Sequence, residues 1–245
     1  MKRYFLYVLI CMLLFSFHFV SMAEDPLIEA DALFEKGDIT NITPILESIS
    51  LYIKAVEANP DSYEANWKCA RAHREYADHA LEGEHEGWKD ICKEYGKKGM
   101  EYAEKAQELE PEKIEGHYYF GLSAGTYSDG VSILKALREG LKGSTQEAFY
   151  KAYELDKMYD IGGPMLAIGR FWHKLPFPLR IKRRAEKYFE EHHKYFPDDP
   201  EGLVYYAELL IDRGKKKKAK PLLEKAIMGD EPFYSKRAKE LLEKL

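Results

Sequence analysis

The stretch "PEGLVYYAELLIDRGKKKKAKPLLEKAIMGDE", residues 200–231, decides the fold. The polar run "DRGK" (212–215) divides it into two segments whose apolar residues recur at helical spacing. Ala207 in the first segment and Ala219 and Ala226 in the second are small residues at positions where two helices of a hairpin meet. Because small side chains let helices approach closely, the stretch predicts a pair of packed antiparallel helices.

The same layout recurs upstream. The stretches "EANPDSYEA" (57–65), "ELEPEKIEG" (108–116), "ELDKMYDIGG" (154–163) and "KYFPDDPEG" (194–202) each follow one amphipathic run and precede another. Aligning them on Pro60, Pro111, Lys157 and Pro197 brings small and bulky residues into register. We therefore interpret these four stretches as boundaries between repeated helical units.

This pattern resembles the tetratricopeptide repeat (TPR) family, whose units carry small residues in both helices and a proline at the boundary. The boundaries lie 51, 46 and 40 residues apart, whereas the standard unit has about 34 residues. We expect the excess in an inserted short helix at 129–141 and in longer turns, such as "LPFPLRI" (175–181). The fold class expected is all-α, a TPR-like α-solenoid of about five helix hairpins with that inserted helix and a C-terminal capping helix at 232–244.

Three stretches indicate a particular group within the TPR family. They are "GTYSDGVSILKAL" (125–137), "AYELDKMYDIGGPMLAIGRFWHKLP" (152–176) and "YYAELLIDRGKKKKAKPLLEKAI" (205–227). Together they resemble exported bacterial TPR proteins of the TatT type, the T components associated with TRAP transporters. The regulator of microtubule dynamics proteins are a more distant resemblance.

The resemblance implies a non-enzymatic accessory subunit of a TRAP-type solute transport system. It implies a periplasmic substrate-binding protein as partner, and homo-oligomers. The alternative left open is a general periplasmic scaffold for envelope assembly that recognises segments of other proteins.

The first residues carry the features of an export signal. Lys2 and Arg3 precede an apolar run over residues 4–20, and "SMA" (21–23) then places small residues before Glu24. This predicts a signal peptide over residues 1–23, a periplasmic location and one TPR domain over residues 24–245. An uncleaved N-terminal membrane anchor is the alternative.

Composition argues against several functions. The net charge of −5 argues against a nucleic-acid partner. The sequence contains no nucleophile elbow, phosphate loop or metalloprotease motif, so we expect no catalytic residue, no metal and no cofactor. Cys69 and His73 are four residues apart and could bind one metal ion between them. However, both fall on the packing face of their helix, which predicts that they are part of the hydrophobic core.

TPR arrays bind along a concave surface that is lined mainly by the first helix of each hairpin. The family pattern of inward positions, transferred to this sequence, predicts a groove lined by Trp67, Arg71, Arg74, Tyr118, Leu122, Ile168, Phe171 and Trp172. Phe171 and Trp172 should project into the groove, while Arg170 lies nearer the hairpin interior.

A partly apolar groove with two arginines would suit a small amphipathic organic acid or a peptide segment. The alternative is that the aromatic residues pack on the inserted helix or the C-terminal helix and close the groove.

Overall fold

The computed structural model describes residues 25–245, which form α-helices and no strand. In that part of the chain twelve helices follow one another: α1 (Pro26–Phe34), α2 (Thr43–Ala58), α3 (Tyr63–Glu82), α4 (Trp88–Leu109), α5 (Ile114–Val131), α6 (Ile133–Arg138), α7 (Leu141–Asp156), α8 (Tyr159–Lys174), α9 (Lys182–Tyr195), α10 (Pro200–Asp212), α11 (Lys216–Ala226) and α12 (Pro232–Leu242).

The helices pair into five hairpins: α1 with α2, α3 with α4, α5 with α7, α8 with α9, and α10 with α11. Helix α6 is the insertion in the third hairpin, and α12 packs on α10 and α11 as the C-terminal cap. The predicted all-α solenoid is therefore confirmed. The inserted helix is shorter than its predicted span of 129–141, because α5 continues to Val131 before the chain turns at Ser132.

The predicted signal peptide over residues 1–23 and the alternative anchor lie outside the described residues. Within residues 25–245, none of the helices is both long enough and apolar enough to cross a bilayer.

Helix starts follow the boundary sequences. The Ser62 hydroxyl accepts a hydrogen bond from the Ala65 N–H at 3.2 Å, and the Asp199 carboxylate accepts one from the Gly202 N–H at 2.7 Å. Such N-caps satisfy backbone donors that have no partner within the helix. Pro26, Pro200 and Pro232 stand in first turns, where no backbone hydrogen bond is lost.

Small residues set the distances between helices, as the repeat pattern predicts. Gly121 of α5 lies against the Phe149 ring of α7, and Gly169 of α8 lies against the Phe189 ring of α9. A Cβ on Gly96 of α4 would stand 2.6 Å from the backbone nitrogen of Tyr127 in α5. Neighbouring hairpins therefore touch backbone to backbone at this place, which no larger residue would allow.

A left-handed turn shifts the register of the fourth hairpin. Asp160, Ile161 and Gly162 have φ angles of 50°, 54° and 76°, so regular helical geometry in α8 resumes at Gly163. The Tyr118 hydroxyl donates to the Asp160 carboxylate at 2.9 Å, and His192 Nε2 lies 3.0 Å from the Ile161 carbonyl oxygen. The turn is thus held by the preceding hairpin and by the second helix of its own hairpin.

The shift corrects the alignment made from sequence. Gly169, not Ala167, occupies the position in α8 that Gly121 occupies in α5, two residues later than an alignment on Lys157 places it. Every inward position of α8 moves by the same two residues.

Candidate binding site in the superhelix interior

The first helices of the hairpins and the cap surround a hollow. Gly125 of α5 is exposed, and a Cβ placed there would meet nothing within 4 Å beyond the neighbouring backbone of its own helix. Helix α3 forms one wall, and α8, α10 and α12 form the other. The Arg74 charge in α3 acts on the Glu201 carboxyl in α10, so the second and fifth hairpins face each other across the hollow.

Ion pairs line both walls. On α3, Arg74 bonds the Glu75 carboxylate at 2.6 Å and the Asp78 carboxylate at 2.9 Å. On the opposite wall, Glu208 of α10 accepts from Arg170 of α8 and, at 2.9 Å, from Arg237 of α12. The interior is thus more ionic than the partly apolar groove that the sequence suggests.

Glu82 and Glu201 are interior carboxyls that have no cation within ion-pair distance among residues 25–245. Burial, followed by repulsion from Asp78, raises the pKa of Glu82 to about 9. Burial also raises the pKa of Glu201 to about 7, against the opposing effects of the Arg74 charge and of the nearby Tyr234 and Tyr205 hydroxyls. Near neutral pH both carboxyls therefore take up protons more readily than they do in water.

A cavity of about 280 Å³ opens where the ends of α1 and α3 meet α5 and the start of α8. Its lining combines aromatic and ionic side chains, among them Phe34, Arg71, Glu75, His79, Tyr119 and Asp160. The left-handed turn places Asp160 in this lining.

Arg71 is the cation at the cavity. Its guanidinium lies 4.1 Å from the Phe34 ring centroid and 5.3 Å from that of Trp67. Its Nη2 is 3.9 Å from Asp31, whose carboxylate is already bound by the Tyr52 hydroxyl at 2.6 Å and by Lys68 at 2.7 Å. Its Nε is buried and has no hydrogen-bond partner in residues 25–245. A buried donor without an acceptor is costly, and the arginine that carries it lines the cavity.

Some of the predicted groove residues do meet in the interior. Arg71 and Arg74 lie on α3, and Trp67 stacks on Tyr119 with the two ring centroids 6.0 Å apart. Tyr118 is buried, with its hydroxyl on Asp160. Leu122 is half-buried on α5. Whether these residues bind a partner stays a prediction.

Other predicted groove residues do not face the hollow. Trp172 is only 3% exposed and donates its indole N–H to the Tyr150 hydroxyl at 3.1 Å. Ile168 is fully buried, and the half-buried Phe171 packs its ring against Phe149 and Trp172. The expectation that Trp172 projects into the groove is wrong, and so is the placement of Arg170 in the hairpin interior. The two-residue shift in α8 buries the Trp172 indole and turns the Arg170 guanidinium towards the hollow.

The interior contains functional candidates that sequence reasoning missed. The Arg170 guanidinium lies 4.0 Å from the Tyr205 ring centroid, and Tyr205 packs edge-on against Tyr234 of the cap. The glycines of "DIGGP" (160–164), together with Gly169, are the sequence feature that indicates the shifted register of α8. Aligning Gly169 with Gly121 would have placed Arg170 inward.

The described residues offer no arrangement of three or more His, Cys, Asp or Glu side chains suited to a metal ion. Cys69 and His73 are fully buried, and His73 Nδ1 donates to the Cys69 carbonyl oxygen at 2.8 Å. Burial lowers the pKa of His73 to about 4, so the imidazole is neutral. Both residues belong to the core, and both Cys69 and Cys92 are free thiols.

Solved structures share this architecture. The crystal structure of TTC0263, described as a thermophilic TPR protein in Thermus thermophilus, aligns with a TM-score of 0.62 and 17% identity. That alignment covers 89% of this chain and 97% of that one. The crystal structure of MamA aligns with a TM-score of 0.52 and 16% identity over 87% of this chain and 92% of that one. At these identities the likeness establishes a TPR-like fold.

Sequence comparison adds the family. None of the curated proteins matches this chain significantly. The sequence model of the family described as regulator of microtubule dynamics protein 1-3 matches residues 27–163, which is more than half of the chain. These residues run from α1 through the left-handed turn at the start of α8. The chain therefore belongs to the regulator of microtubule dynamics protein 1-3 family.

Proposed function

We propose that this chain is a non-enzymatic TPR-like scaffold that holds a segment of a protein partner in the interior of its superhelix. The observation that carries this proposal is the Arg71 guanidinium, whose buried Nε lacks a partner among the described residues and stands at a cavity open to a ligand.

The cavity favours a single carboxylate attached to an apolar group. A guanidinium binds a carboxylate with a directed pair of N–H groups, and the Phe34 and Trp67 rings beside Arg71 offer apolar contact area. Glu35, Glu75 and Asp160 also line the cavity and would repel a ligand with several negative charges. An acidic side chain or a chain terminus next to an apolar residue meets both conditions.

Selection of peptides tests this proposal. We expect random peptides selected on the immobilised protein to be enriched in an acidic group adjacent to an apolar residue. Arg71→Gln should weaken the selected peptides by more than about tenfold, because a charge-assisted pair is lost. Arg183→Gln, which removes an exposed guanidinium from the outer helix α9, is the matched control and should bind normally. Peptides without acidic enrichment, or equal binding by Arg71→Gln, would contradict the proposal.

More specifically, we propose that the chain is an accessory subunit of a TRAP-type solute transport system in the periplasm. It rests on the sequence resemblance, and its partner would be a periplasmic substrate-binding protein. In that case the interior would hold or pass a small amphipathic organic acid, and the chain could form homo-oligomers. Genes for transporter membrane subunits beside this gene would support it.

The alternative is a general periplasmic scaffold for envelope assembly. Native mass spectrometry separates the two functions. A retained organic acid, together with a captured substrate-binding protein, fits the transport role. Capture of envelope proteins without any small molecule fits the scaffold role.

Both functions require export. We expect N-terminal sequencing of the protein from the periplasmic fraction to begin at Glu24. An intact N-terminus in the membrane fraction would favour the anchor instead, and protein found only in the cytoplasm would exclude both roles.

A further inference from the structure

Two basic runs that lie far apart in the sequence meet at one edge of the molecule. They are "KRRAEK" (182–187), which opens α9, and "RGKKKKAK" (213–220), which spans the turn into α11. Lys215 Nζ lies 2.6 Å from the Glu186 carboxylate, and Arg213 pairs with the same carboxylate. Lys182 Nζ donates to the Asp212 carbonyl oxygen at 2.6 Å. We call residues 175–187 and 213–220 the basic edge.

The basic edge carries far more positive than negative charge. Glu186 within it and Asp212 beside it are each already shared by several cations. Its exposed cations include several with no ion pair within residues 25–245, among them Arg183, Lys187, Lys217 and Lys218. Because the whole chain has a net charge of −5, this edge is a local reversal of the protein's charge.

An apolar tip projects from the middle of the basic edge. Phe177, between Pro176 and Pro178, is 93% exposed, and Leu179 and Ile181 beside it are 38% and 37% exposed. Hydrogen bonds hold the loop in shape, from the Leu179 N–H to the Pro176 carbonyl at 2.8 Å and from Arg180 Nε to the Leu175 carbonyl at 2.9 Å. An ordered loop that displays three large apolar residues in water indicates a surface that something covers.

The edge formed by the boundaries between hairpins shows no comparable run of unpaired cations. There the exposed carboxylates Asp61, Glu112 and Asp198 are each paired with a lysine, and Asp230 and Glu231 are also exposed. The excess of positive charge is therefore a feature of the basic edge.

We propose that the basic edge docks the protein on a bilayer surface rich in anionic phospholipid. Phe177, Leu179 and Ile181 would enter the region below the head groups, and the lysines of α11 would lie over the phosphates. This combination of an apolar tip within a ring of lysine and arginine is the chemistry of interfacial membrane binding. A nucleic acid would match the charge but would leave the two aliphatic side chains without a partner.

Vesicle binding tests the docking surface. The full chain is mixed with vesicles of phosphatidylcholine alone and with vesicles in which about a third of the lipid is phosphatidylglycerol. We expect at least about tenfold tighter binding to the anionic vesicles, and this preference should weaken as salt is added.

Matched variants separate charge from apolar insertion. We expect a loss of more than about tenfold in affinity from reversing three exposed lysines of the basic edge, Lys216→Glu, Lys217→Glu and Lys218→Glu together. The same reversal of three exposed lysines on α2 and α4, Lys54→Glu, Lys93→Glu and Lys97→Glu, is the control and should cost little.

Phe177→Ser should weaken binding by about tenfold while keeping its salt dependence. Met228→Ser, which removes a side chain that is 79% exposed away from the basic edge, should have no effect.

A fluorescent reporter shows whether the tip enters the bilayer. Cys69 and Cys92 are fully buried, so an environment-sensitive dye on a Phe177→Cys variant in a Cys11→Ser background reports position 177. Its emission should shift to the blue with anionic vesicles only. The apolar run over residues 4–20 is common to all variants and cannot by itself make them differ. Equal vesicle binding by all variants with an unshifted dye would overturn the proposal, as would tight binding of single-stranded RNA without vesicle binding.

Discussion

At the scale of single residues, protonation of Glu201 links the interior to folding stability. Burial raises the pKa of this carboxyl from 4.5 to about 7. The folded state therefore binds the proton more tightly than the unfolded state does. The stability this contributes is present below pH 4.5 and is lost as pH rises through about 7.

We expect Glu201→Gln to remove that part of the pH dependence. The urea midpoint of the wild-type protein should fall between about pH 5 and pH 8, and that of Glu201→Gln should fall less. Glu82 acts in the same direction, since its pKa is raised to about 9. His73 acts in the opposite direction, because its pKa is lowered to about 4 and its contribution is lost as pH falls from 6.5 towards 4. Identical slopes in the variant and the wild type would show that the Glu201 carboxyl titrates in the folded protein as it does in the unfolded chain.

The structure buries Trp172 and turns Arg170 towards the interior, the reverse of what the sequence predicts. Single substitutions can test this difference. Trp172→Ala should destabilise the protein by about 3–5 kcal/mol, because it empties a packed site between α7, α8 and α9. Phe171→Ala should cost less, since that ring is only half-buried. Thermal unfolding of both variants measures the difference. Trp172→Ala with wild-type stability would mean that the indole faces the hollow after all.

At the scale of elements, the hairpins could be predicted from the sequence, whereas the left-handed turn at the start of α8 could not. The hairpins were predictable because Ala and Gly at helix contacts, such as Gly121 against Phe149, recur in register with the unit boundaries. The turn was not, because Ile161 is β-branched and such residues rarely adopt positive φ. The hydrogen bonds from Tyr118 and His192 that hold the turn come from other helices.

Ile161→Gly tests the strain in this turn. Glycine adopts positive φ without penalty, and the Ile161 side chain is 61% exposed and loses little packing. We expect a gain of about 0.5–1 kcal/mol in the free energy of unfolding. Ile28→Gly is the matched control, because that residue is 65% exposed but helical and should lose about 1 kcal/mol. A loss of similar size in both variants would mean that residue 161 is helical.

At the scale of the whole molecule, the interior exists because the solenoid curves and brings hairpins that are distant in the sequence near to one another. Arg74 and Glu201 lie in the second and fifth hairpins, yet their charges interact. Patterns within one repeat predict which residues point inward but do not show what they will face. For this reason the arginines were found from the sequence, whereas Glu201, Tyr205 and Tyr234 were not.

A distance across the hollow therefore tests the central claim most directly. Spin labels attached to a Glu82→Cys, Glu201→Cys variant in a Cys11→Ser background would join α3 to α10. We expect strong dipolar broadening of the spectrum relative to the two single-cysteine variants, because the two carboxyls repel each other across the interior. A double-labelled spectrum equal to the sum of the single-labelled spectra would describe an open array whose second and fifth hairpins do not face each other, and would contradict the enclosed interior.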